Sequence, residues 1–170
     1  MHFTGTIWRP PYEAASLLIQ VTAGCTHHRC KFCTLYNDLP FPFRMSPLEE
    51  VEADLLEAQT ALHSPMGKLT ATLQGLPVRG GPDRAFLTGA NPFVLKTDRL
   101  LEIARLVKQY FPAVQTIGCF ARITDISLKT DGELEQLQSA GYDGLTIGVE
   151  TGDAPYFVRT STISPIYRVW

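Results

Sequence analysis

An α/β fold with about four parallel β/α units is predicted by three features of the sequence. Short apolar runs rich in branched residues alternate with amphipathic helical stretches, and each strand–helix step takes roughly 30 residues or more, the length a parallel crossover needs. The runs end in polar or glycine-containing tips near Gly24, Gly89 and Gly152, which such an arrangement gathers on one sheet edge. An apolar fraction of 45% in 170 residues supplies a core for about one domain.

Residues 1–15 show neither helical nor strand period around Trp8, Pro10, Pro11 and Tyr12, and are expected to be a lead-in that packs against the domain. Ser16 to Thr22 is a short apolar run ended by Gly24 and reads as a first buried strand. Pro40 and Pro42, among aromatics, exclude helix from residues 36–44. Ser46 is then placed to cap a helix, with Pro47 at its first position and Glu49 completing a capping box. Leu48, Val51, Leu55, Ala58 and Leu62 recur at helical spacing and leave Glu49, Glu50, Glu52 and Glu57 on a solvated face. Residues 64–83, rich in glycine and proline, read as a long loop, either an insertion or the seat of a short extra element.

Arg84 to Thr88 is a second strand, broken by Gly89-Ala90-Asn91-Pro92. Asp98 to Tyr110 is a second helix with Leu100, Ile103, Ala104 and Val107 on one face and Pro112 beyond its end. Val114 to Ala121 follows as a third strand containing Cys119, which reads as a small buried hydrophobe. Asp131 to Ser139 is a shorter third helix with Leu134 and Leu137 inward, stopped by Gly141, and Asp143 to Gly152 is a fourth strand with a polar tip.

Chemistry concentrates in the loop after the first strand. Cys25-Thr26-His27-His28-Arg29-Cys30-Lys31-Phe32-Cys33 puts three thiols on nine residues, separated by four positions and then two. Three thiols this close suit one soft metal centre, zinc or an iron–sulfur cluster. A structural zinc wants four closed ligands; Cys119 is remote, and the tight loop strains His27 and His28 away from the centroid of the sulfurs. A [4Fe–4S] cluster held by three cysteines leaves one iron open for a ligand.

This segment resembles the radical S-adenosylmethionine (SAM) enzymes, in a branch with a Cys-x4-Cys-x2-Cys loop. The resemblance is carried by Gly24-Cys25 through Cys33, with Phe32 immediately before the last cysteine, and covers residues 16–152. It implies a partial (β/α) barrel, a [4Fe–4S] cluster on Cys25, Cys30 and Cys33, and SAM chelating the open iron. Reductive cleavage of SAM to a 5′-deoxyadenosyl radical would follow, with the electron from a reduced flavodoxin or ferredoxin-type donor. The substrate is not named by the sequence. Gly89, Ala90 and Asn91 stand where the family has a Gly-Gly-Glu-like turn that receives the SAM amino group, here with one glycine and no glutamate. Phe32 would bury its ring beside the cluster while the chain around it faces the adenine, and Glu150, in the Ile147–Gly152 segment, would be the hydrogen-bonding carboxylate on the methionine and ribose side. Arg122, where the third strand meets its loop, has the chemistry to clamp a carboxylate or to pair with Asp125.

Other classes are narrowed by composition. A net charge of −2 without a basic cluster gives no nucleic-acid footprint, and no apolar run has the length of a membrane span. Residues 1–16 lack the order of a signal peptide, and clustered cysteines fit a reducing compartment, so a cytoplasmic protein is expected. Residues 153–170, with Pro155 and Pro165, show no amphipathic period where the family has about two further units. A truncated or frameshifted product, or the first part of a split gene, with the fourth strand as an exposed edge, is expected on that ground. The alternative to the enzyme is a non-catalytic metal-binding module, holding zinc or a cluster, or an inactive fragment.

Overall fold

The computed structural model describes residues 1–73 and 81–148. Four parallel strands form its sheet: β1 (Leu17–Gln20), β4 (Arg84–Thr88), β5 (Thr116–Ala121) and β6 (Tyr142–Ile147), in the order β1-β4-β5-β6. Successive sheet strands are therefore neighbours, as in a singly wound β/α arrangement, where each crossover helix returns the chain one strand further on. Among the described residues the sheet is open, with β1 and β6 at its edges.

The crossovers carry α1 (Leu48–His63), α2 (Pro65–Leu73), α3 (Thr97–Tyr110), α4 (Ile123–Ser127) and α5 (Asp131–Ser139). Strand residues alternate between two faces. Ile19, Ala85, Leu87, Ile117, Cys119 and Ala121 join Val51, Leu55, Leu100, Ile103, Val107 and Leu137 in one apolar core between sheet and helices. Burying each large aliphatic here contributes about 1.5–3 kcal/mol. Tyr142 is buried in the same layer and donates its hydroxyl to the carbonyl of Leu100 at 2.8 Å. Helix α3 is locked to α1 by Gln59 Nε2 donating to the Tyr110 carbonyl (2.6 Å) and Tyr110 Oη donating to Glu52 (2.9 Å).

The N-terminal segment starts on α1, where His2 N donates to Asp54 Oδ1 at 2.7 Å, and from Thr4 onward it lies against the opposite face of the sheet, where Arg84, Phe86, Phe120 and Thr146 point. Glu13, only 1% exposed, accepts from Arg84 Nε at 3.0 Å and Nη2 at 2.9 Å, and the same guanidinium reaches Thr116 and Asp143. A Cβ at Gly118 would stand 2.6 Å from Arg84 Nη2, so the bare backbone there gives the guanidinium its seat. Thr4 N donates to Gln20 Oε1, Thr88 Oγ1 to the Trp8 carbonyl, and Tyr12 and Thr146 share a hydroxyl hydrogen bond.

Several elements differ from the sequence reading. The first strand stops at Gln20, because Val21 N donates to Thr88 O while Val21 O accepts from Ser46 N, turning the chain into a second pairing. That pairing is an antiparallel ribbon of β2 (Thr22–Gly24) with β3 (Phe43–Met45). The capping box at Ser46 does not form: Pro47 is the N-cap and no side chain caps α1. Ser46 is buried, its N–H spent on Val21 and its carbonyl on Arg99 Nη2 at 2.9 Å. Within residues 64–83 the short extra element allowed as one reading of that stretch is the nine-residue helix α2, and residues 74–80 lie outside the described ones. The third crossover contains α4, which the sequence reading did not foresee, while α5 starts with a true capping box on Thr130 and Glu133. The fourth strand ends at Ile147, and its predicted continuation from residue 149, with the 153–170 tail, lies outside the described residues.

Candidate functional site

The cysteine loop is closed at its base by the β2–β3 ribbon. Cys25 N donates to the Pro42 carbonyl at 2.7 Å, and Gly24 adopts φ +74°, where a Cβ would meet that same carbonyl oxygen at 2.3 Å. The ribbon continues from β1 and is tied to the end of β4 through Val21 and Thr88, so the loop rises from the C-terminal sheet edge. That is the edge where α/β folds assemble ligand sites.

Gly89 brings the next predicted segment against this base. Its φ is +129°, and a Cβ there would lie 2.0 Å from Thr22 Oγ1 and 2.4 Å from the Thr22 carbonyl oxygen. Only glycine admits both the conformation and the approach. Ala90 is half-buried beside it, and Asn91 is fully buried. The Asp125 carboxylate only accepts, so the Asn91 amide turns its Nδ2 toward Asp125 Oδ2 at 2.6 Å. Asn91 Oδ1 and Thr22 Oγ1 are left buried without hydrogen-bond partners. Unmet polar atoms at a strand-end turn are the kind of feature a ligand satisfies.

Arg122 joins the two segments. Its Nη1 donates to Thr26 Oγ1 on the cysteine loop at 3.4 Å, and its Nε lies 4.0 Å from Asp125 Oδ2. The carboxylate pairing anticipated for Arg122 thus exists, and Asp125 links it to Asn91. Sequence reasoning named Asp125 only as an arginine partner; its i,i+3 spacing from Arg122 was the available signal.

The three loop thiols are half-buried, and Cys33 N closes a turn on the Cys30 carbonyl at 3.1 Å. Cys25 and Cys33 both bear on Tyr36, whose phenol is pushed up to about 12 by burial and then by those two sulfurs. Tyr36 was not singled out from sequence. Among the described residues no three His, Cys, Asp or Glu side chains are set to hold one metal ion. The donor set of the loop, three thiols without a carboxylate, suits a soft iron–sulfur centre and not a hard cation. Phe32 does not bury its ring, which is 47% exposed, because the ribbon anchors only the ends of the loop. Cys119 is fully buried in the core, where burial raises its thiol to about 12, which fits the expected hydrophobe. Glu150 lies outside the described residues.

Beside the loop opens a cavity of about 570 Å³ lined by Thr26, His27, His28, Arg29 and Pro42. Burial, followed by the charges of Arg122 and Arg29, lowers the pKa of His27.

No family model and no solved structure matches the chain. It is similar to a biotin synthase of Saccharopolyspora erythraea, 23% identical over 167 residues, which cover 95% of this chain and 39% of that protein. The chain thus spans less than half the length of the curated relative it matches.

Proposed function

We propose that the chain is a radical SAM protein that binds a [4Fe–4S] cluster through Cys25, Cys30 and Cys33 and places SAM beside it. The observation that supports this reading is the ribbon-closed base of the cysteine loop at the sheet edge, where Thr22 of the ribbon lies against the Gly89 turn. The likeness to a biotin synthase, itself a radical SAM enzyme, supports it at long range. When bound, the cluster supplies the electron for reductive cleavage of SAM, chemistry that belongs to the cofactor.

The chain's own residues bind and orient. The Gly89 and Ala90 carbonyls, with Asn91 Oδ1, accept from the SAM amino group, an assignment favoured by the unpartnered amide oxygen. Arg122 offers its guanidinium to the carboxylate. Phe32 packs on the adenine, and Glu150 takes the ribose or methionine side. Residues 1–15 serve as a lead-in to a core spanning 16–152, and a reduced flavodoxin or ferredoxin-type protein is the electron donor. A cytoplasmic location belongs to the same proposal, and no helix among the described residues is long and apolar enough to cross a membrane.

Anaerobic reconstitution with iron and sulfide tests the assignment. The expected product is brown, with visible charge-transfer absorption, and loses iron on substitution of Cys25, Cys30 or Cys33 by Ala but not on Cys119→Ala. Colourless, stoichiometric zinc in place of iron would select the non-catalytic module.

A further inference from the structure

The chain carries 15 Lys and Arg against 17 Asp and Glu, yet no acidic residue occurs between Glu13 and Asp38. Inside that interval His27, His28, Arg29 and Lys31 crowd onto the cysteine loop, and three of them line the 570 Å³ cavity. Arg29 has no hydrogen-bond or carboxylate partner among the described residues, and its charge persists at any working pH. His27 Nε2 is buried with no partner. A neutral imidazole can carry a proton on that nitrogen, so it serves as a donor in either ionisation state. His28 is held at φ +44°, a left-handed conformation unusual outside glycine, which turns the backbone at the cavity wall. Arg122 reaches the same wall through Thr26 Oγ1.

An uncompensated guanidinium, an unmet buried nitrogen and a cavity, with no carboxylate lining it, form a receptor for negative charge. We propose that this cavity is an anion subsite, which receives a carboxylate or phosphate group of the substrate on Arg29 and His27. The proposal deepens the reading above and rests on it for the word substrate, since the subsite adjoins the loop assigned to the cluster. Two sources could supply such a group, the substrate and the carboxylate of SAM itself, and the test separates them.

Inorganic phosphate is titrated calorimetrically into the full chain at low ionic strength, after anaerobic reconstitution, with and without saturating SAM. Phosphate is expected to bind equally in both, and Arg29→Gln to weaken it by about ten-fold or more, the worth of a charge-assisted contact. Arg29→Lys, which keeps the charge but loses the fork, should fall between the two. Iron content and SAM affinity should stay at wild-type values in the Lys variant. Displacement of phosphate by SAM would assign the cavity to the cofactor and overturn the subsite. Equal phosphate affinity in wild type and Arg29→Gln would reduce the signal to an adventitious ion only. The same titration before reconstitution keeps the two readings apart: phosphate binding by a chain that never takes up iron removes the cluster but not the anion site. Iron uptake without phosphate binding removes the subsite alone.

Discussion

Replacing Arg84 by Met isolates what holds the N-terminal segment on the open face of the sheet. Met keeps an apolar stem of similar length but removes the guanidinium, which now binds Glu13, Thr116 and Asp143. Glu13 is 1% exposed, so its carboxylate would be left with the Ser16 hydroxyl as its remaining side-chain partner. Breaking a buried pair by removing one partner costs about 3–5 kcal/mol, mostly the uncompensated charge. With a urea dependence of about 1–3 kcal/mol per molar for a small protein, the unfolding midpoint should drop by roughly 2 M. Glu13→Gln keeps the shape and leaves no charge stranded on the buried side, so it should cost only about 1–2 kcal/mol. The double variant should lose less than the sum by about 1–3 kcal/mol, since neither orphan remains. Burial pushes the Glu13 carboxyl up, but the bonds from Arg84 and Ser16 and the Arg84 charge outweigh it, and the folded pKa lies below the usual 4.5. A depressed folded pKa contributes stability above the unfolded value and loses it as pH falls through the folded one. The advantage of wild type over Glu13→Gln should therefore be full above about pH 5 and shrink in more acid solution. Additive single effects, or an Arg84→Met midpoint within 0.5 M of wild type, would refute the clamp.

Gly89→Ala should destabilise by about 2–4 kcal/mol through strained φ and collision with the Thr22 carbonyl, read as a lowered melting temperature. Adding Thr22→Ala should not rescue it, because the colliding backbone oxygen remains. Phe32→Ala, at a ring already 47% exposed, should move stability by less than about 0.5 kcal/mol and leave iron content unchanged. Its SAM affinity, measured by equilibrium dialysis, should nonetheless fall several-fold; an unchanged value would remove Phe32 from the site. Cys119→Ala should keep the cluster and cost about 1–2 kcal/mol in thermal unfolding as a small core truncation, and coincident loss of iron would undo the three-thiol assignment.

What could be read from the sequence follows from where the deciding interactions are local. The strand Arg84–Thr88 and the helix Asp131–Ser139 match residue for residue, since a turn glycine and a stop at Gly141 bound them from within. Helix α2 was hidden by Gly67 and two threonines in a short segment, although Pro65 at its first position is a start signal. Ser46 misled because its capping chemistry is overridden by partners distant in sequence, Val21 and Arg99. The β2–β3 ribbon was illegible for the same reason: three-residue strands separated by the whole cysteine loop carry no periodicity to read.

That ribbon also explains why the spacing of the cysteines was plain while their geometry is not. A thiolate site draws its shape from the bonds to its metal, so binding energy and loop ordering are one quantity. What the polypeptide must supply beforehand is a base that fixes both ends of the loop and points them at the sheet edge. Here the Cys25–Pro42 hydrogen bond, the forced glycine conformation at Gly24 and the Val21 bridge to Thr88 and Ser46 do this, while residues between them carry the thiols. The cost of bringing the thiols together is thereby confined to a segment whose ends are already closed, which would lower the loop entropy that the proposed cluster has to overcome. Opening the base by Gly24→Val, which drives a branched side chain into the Pro42 carbonyl, should accordingly weaken iron retention even though every thiol is kept.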